Sequence, residues 1–424
     1  MDAQTNDPGE LDQSFASNGI FTLTVALPYQ ETIIFGTLID PATQNIYFAG
    51  QARNGISDRP YVLGRLLPDG NLDETFATDG IAMGKFSNAA ESKGNSIALI
   101  AQDKILLIGA INSSPALARF HPDGSLDTSY GVNGHLILAN PSPGAPLSAE
   151  ESASEAESAE SNTAALQDGR ILISFTYHQS GNPTRSYLFM LDINGELDRS
   201  FNQTGSVLVK HPDHSPEKIR LHGCLIDEDG SVVACASLKS ADSQASLFVR
   251  YKKDGSIESS YGENGYLVVD TQAEYALVDA LAKQGNRRIL AIGYSRSGFD
   301  HSGLLISLER DGTDNIQFNR GQPLLTRLND ADTQWICALK QPNGSLVVTG
   351  NSKASGKPTI ALARLQSNGA FDPTLNNGQG WVVTPIGLNN TSATNLALQD
   401  DGKMIVCGFY RDTNLHGVIV RYLG

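Results

Sequence analysis

The sequence predicts an all-β protein: a seven-bladed β-propeller of four-stranded blades, its ring closed by pairing the N-terminal motif with the C-terminal strand. Three observations predict it. One motif, Asp-Gly-x-Leu-Asp-x-x-Phe-x-x-x-Gly, is written seven times along the chain. The copies recur about every 60 residues, which leaves room for four short strands per unit. Between them, β-branched runs alternate with turn residues about every eight to twelve positions, and this excludes a helical solenoid.

The first three copies are the clearest: Gly9-Glu10-Leu11-Asp12 with Phe15, Asp69-Gly70-Asn71-Leu72-Asp73 with Phe76, and Asp123-Gly124-Ser125-Leu126-Asp127 with Tyr130. Asn194-Gly195-Glu196-Leu197-Asp198 with Phe201 and Asp254-Gly255-Ser256-Ile257-Glu258 with Tyr261 follow. A degraded Asp311-Gly312 copy with Phe318 and then Asn368-Gly369-Ala370-Phe371-Asp372 with Leu375 complete the series. Asp or Asn before Gly supplies the side-chain hydrogen bond and the positive φ of a tight turn, and the Leu and the aromatic anchor the loop between blades. The intervening strands are equally repetitive, as in Asp103-Lys104-Ile105-Leu106-Leu107-Ile108-Gly109 and Gly344-Ser345-Leu346-Val347-Val348-Thr349-Gly350.

A second register lies five residues before the motif glycine, at Arg65, Arg119, Arg250 and Arg364, with Met190 and Ser307 in the other two units. Arg421 holds the same place in the last strand, after which the chain stops at Gly424 without a motif of its own. The copy at Gly9 supplies it, which closes the ring and removes an exposed sheet edge. Each arginine is expected to pair with the following motif acid through a two-point contact: Arg65 with Asp73, Arg119 with Asp127, Arg250 with Glu258, Arg364 with Asp372, and Arg421 with Asp12. Copy six has lost both partners, at Ser307 and Asn315, and copy four retains Asp198 opposite Met190. These ten residues read as structural.

The formal net charge of −15 argues against nucleic acid, whose binding needs clustered Lys and Arg. The N-terminus, Met1-Asp2-Ala3-Gln4, has no basic segment followed by an apolar run, and no stretch is apolar enough to span a membrane. A soluble monomer is expected, cytoplasmic or exported by a route the sequence does not reveal. Cys224, Cys235, Cys337 and Cys407 are too few and scattered for a disulfide framework or zinc knuckle. Cys224 and Cys235 flank Asp229-Gly230, and counting outward from a two-residue turn sets them opposite each other; a disulfide and two buried thiols both remain open.

The longest interruption is an acidic low-complexity insertion at about 140–163, a solvated segment within an otherwise single domain over 1–424. His211-Pro212-Asp213-His214 offers two imidazoles and a carboxylate but no third ligand pattern, so it reads as a loop. The motif lacks the converging oxygens of a calcium loop, and no metal or cofactor is expected. Trp335 and Trp381 are candidates for a ligand platform, although tryptophans more often fill the core. No Gly-x-Ser-x-Gly elbow, Gly-x-Gly-x-x-Gly fingerprint or Walker loop appears.

The repeated Asp-Gly-x-Leu-Asp-x-x-Phe, with its Asp-Gly-Lys-Ile-like turn and Ala-Arg-Leu-like strand, resembles the delta-60 repeat and covers almost the whole chain. Departures lie at Asp314, where Leu is usual, at Pro373 and Leu375, and at Pro8 in the first turn. The resemblance implies a bacterial β-propeller, often in secreted or surface proteins, and implies no catalytic residues. The function expected is a non-catalytic module recognising a protein or glycan through loops on one face. The alternative is a hydrolase or lyase assembled from non-sequential residues around the central channel.

Overall fold

A computed structural model describes residues 7–424 except 57, 89–90, 112–113, 143–162, 166–168, 180–181, 240–243, 270–272, 355 and 388–389. The acidic insertion falls almost wholly outside the described residues. Short apolar runs become strands buried on both faces, because each sheet is stacked between two others. In Lys104–Ile111 every residue after the lysine is buried, so the pattern is a continuous run rather than an alternation. The outer strands are three or four residues long and half-buried, as in Ile81–Gly84.

The strands form five four-stranded sheets and one of eight, antiparallel within each four. In the first complete sheet, Glu31–Ile39, Ile46–Arg53, Tyr61–Leu66 and Ile81–Gly84 lie side by side in chain order. The eight-stranded sheet consists of two such fours joined by one parallel bridge, Gln244 to Tyr275. One sheet is assembled from both ends of the chain: Ile20–Thr22 pairs antiparallel with Leu415–Tyr422, Ile20 opposite Val420. First strands pack on first strands, and Glu31–Ile39 touches both Lys93–Ile100 and Thr391–Leu398. The core is accordingly divided into clusters between neighbouring sheets. One of them unites Phe15, Ile34 and Phe48 with Ile405, Cys407 and Ile419.

The motif does not separate one sheet from the next. It connects the third strand to the outermost strand of the same sheet, as between Tyr61–Leu66 and Ile81–Gly84. Its aromatic nevertheless reaches the following copy. Gly70, at φ +88°, lies so close beneath Phe15 that a Cβ there would stand 2.6 Å from the ring. The same contact recurs from Phe76 to Gly124, Tyr130 to Gly195, Phe201 to Gly255, Tyr261 to Gly312 and Phe318 to Gly369. Leu375 then meets Gly9, and the Asn376 amide donates to the Pro8 carbonyl at 2.8 Å, joining the last copy to the first.

The cysteine register differs from the count out of a two-residue turn. The loop has three residues, Glu228 to Gly230, closed by the Asp227 amide donating to the Ser231 carbonyl at 2.8 Å, with Gly230 at φ 81°. One extra residue slips the pairing, so Cys224 faces Ala234 and Cys235 faces Gly223. The two thiols enter different core clusters and are not joined in a disulfide, and neither Cys337 nor Cys407 is in one. Burial raises the Cys224 and Cys407 thiols to about 12. Among the described residues, no helix is long and apolar enough to cross a membrane.

Candidate functional site

The repeated arginine register is built at the end of each third strand, where the motif turns back towards it. Arg65 Nε lies 2.7 Å from Asp73, Arg119 Nε 2.9 Å from Asp127, Arg364 Nε 2.8 Å from Asp372 and Arg421 Nε 2.9 Å from Asp12. The contact runs from Nε to one carboxylate oxygen rather than as a fork. In Asp73 the other oxygen accepts from the Thr75 hydroxyl and amide at 2.6 and 3.1 Å. Burial disfavours the Asp73 charge, but the Thr75 bonds and the Arg65 guanidinium outweigh it and hold the carboxyl below its ordinary range. The arginine then bridges repeats: Nη1 of Arg65 donates to the Pro122 carbonyl at 2.8 Å, and Nη1 of Arg119 to that of Ile193 at 3.1 Å. Arg421 reaches the Pro68 carbonyl in the same way, and its guanidinium lies 4.4 Å above the Phe15 ring.

Departures from the register are compensated locally. Asp198, opposite Met190, takes Arg170 from the adjoining hairpin at 3.3 Å. Ser307 and Asn315 become a neutral pair, the Asn315 amide donating to the Ser307 hydroxyl at 2.9 Å. Arg250 stands 4.0 Å from Glu258 and directs Nη2 to Asp227 at 2.6 Å and to the Ser231 hydroxyl at 2.6 Å. Asp227 sits at the end of its strand, where Gln284, Gln341 and Gln399 stand in later repeats, so the acid has moved from the motif to the hairpin.

The candidate site is the cavity of about 1640 Å³ onto which the first strands converge. A β-bulge interrupts the first strand of six of the four-strand sets, two of them in the eight-stranded sheet, opposite the second strand. The extra residues are Phe35, Asn95, His222, Asp279, Ile336 and Thr394, and all six line the cavity. In five of the six a glycine on the facing strand makes room for the bulge, and at His222 Ala236 takes that place. A Cβ on Gly109 would stand 1.8 Å from the Lys93 carbonyl oxygen, and one on Gly350 1.9 Å from that of Gln334. Sequence reading noticed those glycines as strand ends and missed the bulges. A glycine recurring at the end of an apolar run, opposite a residue that differs in every copy, was the available signal.

Basic side chains outnumber acidic ones among the described lining residues. Lys93 and Arg220 stand where first strands begin, and Arg53 and Arg411 end the second strands of their sheets. Arg53 Nε donates to Gln51 at 2.8 Å, and burial beside Arg59 and Arg411 lowers its affinity for its proton. Lys93 Nζ lies 4.1 Å from the Phe35 ring centre. Deeper in, His222 Nε2 is 2.9 Å from the Ser237 hydroxyl and Nδ1 is 3.8 Å from Asp279. Burial, with Arg220 nearby, depresses this imidazole to about 4 and keeps it neutral near pH 7. Ser237 is 2% exposed and lies behind the histidine.

The other singled-out residues serve packing. Trp335 is fully buried and its indole donates to Thr326 at 2.8 Å, while Trp381 is half-buried against the same core cluster. The rings of His211 and His214 lie 4.8 Å apart and tilted at 46°, and His211 packs on Tyr266. Among the described residues, no group of three or more His, Cys, Asp or Glu is placed to hold a metal ion.

These sheets define a β-propeller. The family model described as "Domain of unknown function (DUF5122) beta-propeller" matches residues 102–130 and 341–375, two of the motif copies with the hairpin strands before them. Comparison with curated proteins finds no match. Among solved structures, the chain is similar to Drosophila Plexin A, determined in complex with Semaphorin 1b. That alignment has 12% identity, covers 99% of this chain and 88% of that one, and has a TM-score of 0.48. It is also similar to polysaccharide lyase Uly1, at 10% identity over 98% of each chain and a TM-score of 0.46. The GH74 xyloglucanase from Xanthomonas campestris gives 11% identity over 92% of this chain and 53% of that one, with a TM-score of 0.45.

Proposed function

We propose that the chain forms one seven-bladed ring closed by its N-terminal strand, and that the ring is a non-catalytic binding module for a protein or glycan. Closure is supported by the Ile20–Thr22 pairing with the last strand and by Leu375 packing on Gly9. The observation that carries the binding reading is that Arg53, Lys93, Arg220 and Arg411 all line the cavity of a chain with net charge −15. A cleft whose lining carries a basic excess within an acidic chain focuses the field, so the partner surface it suits is acidic: a uronate-bearing glycan or a carboxylate-rich protein segment. A glycan array and a pull-down with wild type and an Arg53→Glu/Arg411→Glu variant test this. Capture of acidic ligands, reduced at least tenfold in the variant, is the expected result. Equal capture by both proteins would remove the mouth from the account.

A second reading, a hydrolase or lyase in the channel, draws on His222 held between Ser237 and Asp279. It requires product release from an acidic polysaccharide that His222→Gln abolishes.

A further inference from the structure

The cavity extends well beyond Arg53 and Arg411. On one wall its lining runs from Arg220 through Leu225 to Asp227 and Glu228, nearly the whole of a first strand and the turn after it. Eight residue steps of about 3.3 Å make that wall about 26 Å long. The lining includes exposed residues at both ends: Asn390 and Arg411 where first strands begin, and Glu228, Lys283 and Lys340 where they end. A cavity of about 1640 Å³ with that length and those ends has the form of a passage between two faces.

The far end is basic as well. Lys283 and Lys340 are the last residues of two first strands that pack together, Tyr275–Lys283 and Asp332–Lys340. Lys340 Nζ reaches the loop after Lys283, where a Cβ on Gly285 would stand 3.9 Å from it. Neither lysine has an ion-pair partner among the described residues, whereas Lys85, Lys104 and Lys403 bind Asp58, Asp127 and Asp12. Asp227, at the same end, is already held by Arg250 and Arg287 at 2.6 and 3.1 Å.

Between the ends the wall is polar and mostly uncharged, with Asn95, Gln334, Asn351 and Thr394 beside Phe35 and Phe409. Amides and hydroxyls pair with sugar hydroxyls, and the aromatic rings offer an apolar surface to the sugar ring. Asp279, the acid among the bulge residues, lies 3.8 Å from His222 and can accept from a hydroxyl. An extended peptide fits less well: it would add a strand to a first-strand edge, and six first strands carry a bulge that bends that edge.

We infer that the passage binds a linear uronate glycan threaded from one face to the other, with carboxylates at Arg53 and Arg411 at one end and at Lys283 and Lys340 at the other. This rests on the acidic ligand proposed above and adds its polymeric form and its second contact. Two cationic ends joined by one chain act as a bivalent site, so affinity rises with ligand length until both are engaged.

Calorimetric titration of the full chain with oligogalacturonates, from the disaccharide to the octasaccharide, tests it. The octasaccharide should bind wild type about tenfold tighter than the disaccharide, or better. Lys283→Glu/Lys340→Glu should bring the octasaccharide down to the affinity of the disaccharide. Lys252→Glu/Lys253→Glu, an equal charge change outside the lining, should keep the gain. All four lysines are exposed, so the melting temperature should hold in both variants. Absence of a length gain in wild type, or a gain that persists in Lys283→Glu/Lys340→Glu, would overturn threading while leaving the acidic ligand at Arg53 and Arg411 in place. Loss of the gain in Lys252→Glu/Lys253→Glu would reduce it to net charge and overturn threading too. Poly-glutamate binding with the same gain would overturn the glycan in favour of a protein segment. Wild type that binds no oligogalacturonate of any length would remove the uronate ligand and the threading together.

Discussion

The seventh and fifth motif copies start from the same design and end with different arginines. In the seventh, Arg364 Nε sits 2.8 Å from Asp372 and Nη2 donates to Thr374 at 2.8 Å. In the fifth, a glutamate replaces the aspartate and the acid that holds Arg250 comes from the preceding hairpin. One extra methylene carries the Glu258 carboxylate past Nε, and Asp227 in place of glutamine captures Nη2. Two ordinary substitutions thus free one end of a buried arginine. Repetition makes such a departure conspicuous, because the four copies that keep arginine and aspartate show the pairing it departs from.

The comparison can be strained at several points. Phe15→Ala should have the largest effect, because that ring is fully buried, covers Gly70 and supports Arg421. A loss of about 3–5 kcal/mol in denaturant unfolding is expected. Arg364→Met leaves Asp372 without its cation, and about 3 kcal/mol should be lost. A loss under about 0.5 kcal/mol would show that the register contributes nothing to stability.

Acid should act in two windows. His222 titrates near 4 in the folded chain against about 6.5 unfolded, so the unfolded state takes up the proton first. Stability should fall as pH drops from about 6.5 towards 4, and His222→Gln should flatten that limb. The carboxyls of Asp12, Asp73 and Asp372 are held below their ordinary range. Their contribution is present above the unfolded carboxyl pKa and is lost as pH falls below about 4. The smallest effect belongs to copy six. Ser307→Arg with Asn315→Asp restores the register and should lie within about 1 kcal/mol of wild type, while either change alone costs about 2 kcal/mol by burying an unpaired charge.

The strands and the arginine register were legible because they are local and repeated: five residues before a glycine is a spacing that a single chain displays several times. The pairing of the N-terminal strand with the last one was legible for the same reason, since the copy at Gly9 had no strand before it and Arg421 had no motif after it. What could not be read was register within a sheet. A single extra residue in the Glu228 to Gly230 loop moved Cys224 away from Cys235. The bulges that turn His222 and Asp279 into the cavity leave no mark in the apolar pattern, because the strand resumes its alternation on the far side. The compensations at Arg170 and Asp227 depend on hairpins that approach the motif only in three dimensions.

The most direct test is a pair of double-mutant cycles at one register, Asp12→Asn with Arg421→Gln and Glu258→Gln with Arg250→Gln, followed by chemical unfolding. A register of repeated ion pairs, with the fifth copy released, predicts a coupling of about 1.5–3 kcal/mol for Asp12 and Arg421 and near zero for Glu258 and Arg250. Equal couplings at the two positions, or none at the first, would contradict it.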